Sequence, residues 1–165
     1  MKNAAIRICT LTGIYLNVNG TIIAQSGMDE QWGISESALA LLRTIDQDYI
    51  CVPKYVEGLL LHGCGTILMA NCPISIRWRV RHVGDHVILS DFVKVETTDP
   101  ATGSVYYTGL EAQINKKEYK RQILSFAREA KMFFDAFGEK QISGDFDRQM
   151  YKEFWDEYNQ LLKAE

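Results

Sequence analysis

His62-Gly63-Cys64-Gly65, followed by Cys72 and preceded by Cys51, gathers the residue types in this chain most suited to chemistry. His62, Cys64 and Cys72 are soft or borderline metal ligands within eleven positions, and Cys51 could supply a fourth for tetrahedral zinc. The spacing lacks the paired Cys-x₂₋₄-Cys knuckles of such sites, so the expected use is a glycine-flanked turn with buried thiols and no metal. Cys64 also has the setting of a nucleophile. Gly63 and Gly65 would let backbone amides approach a substrate carbonyl, and His62, two positions away, would share its face in a strand. No Asn or Asp can be assigned to orient that histidine, so a small thiol-dependent enzyme around Cys64 is the alternative to a non-enzymatic reading. No catalytic residue and no cofactor is assigned.

His82, Asp85, His86 and Asp91 also sit close together in sequence. Strict strand alternation separates His82 from His86 onto opposite faces and places Asp91 opposite Trp78, where a bond from the indole N–H to the carboxylate would be structural. The more distinctive feature is Arg77, Arg79 and Arg81, which alternate at strand spacing and project as a row of planar, bidentate donors suited to carboxylates or phosphates. In the same register Ile88 and Phe92 lie beside them, a mixture of arginine and aromatic side chains typical of binding hot spots. A second candidate contact surface is the acidic outer face of the last helix, with Asp156 and Glu157.

These residues need elements to hold them. Residues 14–24 read as two short strands around Asn19-Gly20, a type I′ turn sequence. Ser35 is placed to cap a short helix with apolar face Ala38, Leu39, Leu41, Leu42 and Ile45. Residues 49–73 are interrupted by Pro53, Gly58, Gly63, Gly65 and Pro73, and read loosely as a helix over 54–61 and a strand over 66–70. Residues 74–83 and 86–96 alternate strictly around Gly84-Asp85, which suits a type II′ turn. Pairing Val83 with His86 puts Ile76, Trp78, Val80 and His82 on the core face with Val87, Leu89, Asp91 and Val93. The turn at 99–103 leads into strands at 104–108 and 110–114. After Lys116 the period becomes helical, with stripes from Tyr119 to Phe137 and from Tyr151 to Leu162, and Gly138 ends the first of these helices. The expected fold is one α+β domain over 1–165: an antiparallel β-meander sheet covered on one face by two C-terminal amphipathic helices.

Composition narrows the function classes. A chain of 165 residues and 18.8 kDa is long enough for one core. A net charge of −3 and pI near 5.7 provide no global field for a polyanion, so direct nucleic-acid binding is not expected. No apolar run reaches the roughly 18 residues of a membrane span. With four cysteines and no secretion signal, the chain reads as cytoplasmic with reduced thiols.

The C-terminal half, Ile76-Arg77-Trp78-Arg79-Val80 through Phe126-Ala127-Arg128-Glu129-Ala130 to Phe154-Trp155-Asp156-Glu157-Tyr158, resembles small bacterial immunity proteins. Those accompany secreted polymorphic or contact-dependent growth-inhibition toxins. The resemblance covers about half the chain and rests on a meander, a helix with a Phe-Ala-x-Glu-Ala core and an aromatic terminal helix. It implies a non-enzymatic cytosolic protein that binds one toxin domain and blocks its active site or cofactor contact, and it carries over no catalytic residue. The expectation is therefore a protein-binding module, with Arg77, Arg79, Arg81, Phe92, Asp156 and Glu157 as contact residues. The other alternative is a small-ligand-binding domain with a pocket between sheet and helices.

Overall fold

The computed structural model describes residues 6–9, 14–25, 31–51, 58–63, 72–138 and 141–163. Asn19 and Gly20 both take positive φ, 52° and 91°, as a type I′ turn requires. They join β2 (Tyr15–Val18) to β3 (Thr21–Ala24), and β1 (Ile6–Cys9) completes a three-stranded antiparallel sheet in the order β1-β2-β3. Leu16, Val18, Ile23 and Ala24 are buried there.

The second sheet has six strands: β4 (Trp32–Gly33), β5 (Leu60–His62), β6 (Ser75–Val83), β7 (His86–Val95), β8 (Ser104–Tyr106) and β9 (Ala112–Asn115). Its pairs are antiparallel in the order β4-β5-β6-β7-β8, and β9 shares β7's outer edge with β8. β8 lies opposite residues 93–95 and β9 opposite 86–89. Gly84 alone takes positive φ in the β6–β7 turn, as expected for type II′. The helix expected over 54–61 is not what its described end forms. Leu60 and Leu61 are strand, paired with Ile76 and Ser75, because the edge of β6 offers this apolar run ladder hydrogen bonds. The strand expected over 66–70 lies outside the described residues.

Helix α1 (Ile34–Leu42) buries Ala38, Leu39, Leu41 and Leu42, with Ile45 just beyond its end. Gly33, not Ser35, is its N-cap, and the Ser35 hydroxyl donates instead to the Glu36 carboxylate at 2.9 Å. Asn115 caps α2 (Lys116–Asp135), accepting from the Lys117 N–H at 3.0 Å. The Lys116 N–H also donates to Asp85 O at 2.9 Å, tying the start of α2 to the β6–β7 turn. The α2 stripe buries Tyr119, Ile123, Phe126, Ala127 and Ala130 against α1, β1, β7 and β9, whereas Phe133 and Phe137 stay exposed beyond the core. Helix α3 (Asp145–Lys163) packs on α1 and α2 through Tyr158, whose hydroxyl donates to Ala127 O at 2.7 Å. The C-terminal helices lie on one side of the antiparallel sheet, giving the α+β architecture its helical layer.

The inner face of the central hairpin departs from strict alternation at one point. Residues 79–83 pair with 86–90 as the turn dictates, yet Arg77 pairs with Val93 rather than Phe92. Asp91 and Phe92 therefore both stand opposite Trp78, a β-bulge, and Asp91 takes φ 57°. A left-handed residue at the first bulge position re-aims every side chain after it.

Candidate functional site

The bulge corrects two of the expected placements. Phe92, expected beside the arginines, is 1% exposed and stacks on Trp78 with ring centroids 5.7 Å apart. It belongs to the core and cannot touch a partner. Asp91, expected under the Trp78 indole, turns outward to Arg79, with its carboxylate 3.9 Å from a guanidinium nitrogen. The buried Trp78 Nε1 has no hydrogen-bond partner among the described residues. In exchange, Val93 joins Arg77 on the outer face, where Val95 also lines the groove described below.

That outer face carries the arginine row in two different states. Arg79 and Arg81 are exposed, as expected. Arg77 is only 7% exposed: its Nε donates to Ser75 Oγ at 2.9 Å and one terminal nitrogen donates to Pro73 O at 3.2 Å. Both acceptors are neutral, and among the described residues no carboxylate pairs with it. Burying an unpaired ion costs on the order of several kcal/mol, so this guanidinium needs an explanation. Arg77 borders a groove of about 300 Å³, with Arg79, Asp91, Ile50, Val93 and Tyr106 along the walls. Tyr106 is 68% exposed and Ile50 58%, so an aromatic and an aliphatic side chain stand open beside the charges.

The acidic helix face is arranged otherwise. Asp156 is paired with Lys152 at 2.5 Å, and Glu157 accepts two bonds from Arg43, the C-cap of α1, each 2.6 Å. The bonds from Arg43 hold the Glu157 carboxyl below its ordinary range against a smaller opposing effect of burial. These carboxylates are already satisfied within the chain. A larger cavity of about 630 Å³ lies between α1, Tyr49 and α3, where, among the described residues, Glu36, Asp48, Glu153 and Glu157 face one basic side chain, Arg43. Burial raises the Glu36 carboxyl pKa, only partly offset by bonds from its own backbone and from Ser35. Such a lining disfavours anions.

The thiol and imidazole candidates are dispersed. His62 Nδ1 approaches Cys72 Sγ at 3.6 Å, whereas Cys51 lines the outer groove and Cys64 lies outside the described residues. Among the described residues no group of three or more His, Cys, Asp or Glu side chains is placed to hold a metal ion. His82 is a structural group: its ring nitrogens meet Asp48 Oδ1 at 3.0 Å and Ile45 O at 2.9 Å. Asp48 also accepts from the His82 backbone N–H at 2.7 Å, the main reason its carboxyl sits below the ordinary range. His86 lies exposed at the hairpin's turn, apart from it.

Sequence reasoning missed the groove's apolar wall, Ile50, Val93, Val95 and Tyr106. The one available signal was Asp91, an aspartate inside a β-branched strand, a residue type poor in strands but tolerant of left-handed backbone. Among the described residues, no helix is long and apolar enough to cross a membrane. No known family, curated protein or solved structure matches the chain.

Proposed function

We propose that this chain is a non-enzymatic protein-binding module of the immunity type, neutralising a toxin domain by docking on it through the outer face of the six-stranded sheet. The observation that carries the reading is the pairing, on a face turned away from the helical layer, of Arg79 and Arg81 with exposed Ile50, Val83 and Tyr106. Arginine and tyrosine are the side chains that most often dominate interface energetics, and apolar groups between them exclude water. The basic face belongs to a chain of net charge −3, so the complementary surface of the partner is acidic. The α3 face is the weaker candidate because Asp156 and Glu157 are engaged by Lys152 and Arg43. Co-expression with a toxin domain encoded beside this gene tests the reading. Restored growth and a stable one-to-one complex are the expected results, and continued toxicity with no complex would overturn it.

A further inference from the structure

We propose that the Arg77 groove anchors this docking face and receives a carboxylate side chain of the partner, set beside an apolar residue; the inference rests on the docking reading above and supplies its central contact. A guanidinium has five N–H donors. Among the described residues Arg77 uses two, on Ser75 Oγ and Pro73 O, which leaves three, and neither acceptor carries charge. Asp91 lines the same groove, but its carboxylate leans toward Arg79 at 3.9 Å. Among the described residues, Arg77 has thus lost most of its water without gaining a counter-ion.

An incoming carboxylate would meet a donor already desolvated and held in place by Ser75 and Pro73, so the fork needs little reorganisation to bind it. Arginine's planar geometry favours a bidentate carboxylate. The remaining wall, from Ile50, Val93, Val95, Pro100 and Tyr106, suits an apolar neighbour of that carboxylate. The volume of about 300 Å³ is at the small end for ligand pockets and matches a side chain or two better than a cofactor. A doubly charged phosphate fits less well, because Asp91 already brings one negative charge to the groove.

NMR titration of the ¹⁵N-labelled full chain with three probes is the test: N-acetyl-Val-Glu-Leu-amide, its Gln counterpart, and hexanoate. The Glu peptide should shift the Arg77 side-chain N–H and the amides of Val93, Val95 and Tyr106 saturably. The Gln peptide should bind about tenfold or more weakly, the usual margin for losing a charged hydrogen bond. Arg77→Met should abolish the response. Should that variant fail to fold, the exposed-site variants Arg79→Gln and Tyr106→Ala should each weaken binding about threefold. No saturable shift, or equal binding of the Glu and Gln peptides, would overturn the proposal. So would hexanoate binding as tightly as the Glu peptide, which would make the groove a receptor for free small acids. No toxin enters this titration, so the two proposals fail separately. A Glu peptide that binds while no toxin is neutralised keeps the groove and removes the immunity role; protection without peptide binding does the reverse.

Discussion

The two ends of the β6–β7 hairpin were built by different rules. On the turn side, residues 79–83 face 86–90 one to one, and Arg79, Arg81, Ile88 and Ser90 share the outer face that alternation dictates. On the open side, Asp91 and Phe92 both oppose Trp78, Phe92 goes to the core, and Val93 and Val95 join Arg77 around the groove. One extra residue converts a solvated face into a concave one, with the buried Arg77 along its wall. Bulges are common where a sheet must re-aim side chains, and here the re-aimed set is the candidate contact surface.

The largest expected difference between the two ends lies at Phe92. Phe92→Ala should cost about 3–5 kcal/mol in urea unfolding, as for a large core aromatic, whereas Ile88→Ala on the turn side should cost under about 1.5 kcal/mol. Equal costs would mean that Phe92 lies outside, as uninterrupted alternation has it. Asp91 comes next. Asp91→Val should destabilise by about 1–2 kcal/mol because a β-branched side chain resists the left-handed backbone, and Asp91→Gly should be close to neutral. Trp78→Phe should cost less than Phe92→Ala, since the indole N–H has no partner to lose among the described residues and only packing is given up.

The smallest effect belongs to the turn side. Asp48→Asn should lower Tm slightly at pH 7, because the ionised carboxylate accepts from the His82 backbone and ring. The Asp48 pKa is lowered on folding, so its contribution is present above the unfolded value near 3.8 and fades as pH falls below it. Wild type and Asp48→Asn should therefore converge in acid. A difference that grows on acidification would place the effect elsewhere.

The fold was legible wherever a local rule sufficed. Asn19-Gly20 and Gly84-Asp85 set their turns, the helical stripe from Tyr119 to Ala130 named its own buried face, and the turn fixed the register of residues 79–90. The site was legible only in part. Arg79 and Arg81 followed from spacing, but the burial of Arg77 depends on Ser75 and Pro73 drawing its guanidinium along the strand. The groove depends on the Asp91 bulge and on Ile50, brought alongside by the bridge between Tyr49 and Val80. Those are tertiary arrangements that periodicity does not encode. Phe92 was misplaced for the same reason: alternation has no way to count an extra residue.

The most direct test of docking through the sheet compares two charge-altered proteins in one growth-protection assay against the cognate toxin domain, with Tm measured alongside. Arg79→Glu with Arg81→Glu changes the outer sheet face, and Lys152→Glu with Asp156→Lys reverses an exposed pair on α3. The expected result is lost protection for the sheet variant and retained protection for the α3 variant, with both Tm values near wild type because exposed substitutions rarely cost much. Retained protection by the sheet variant, with loss in the α3 variant, would contradict docking through the sheet and move the contact to the acidic helix.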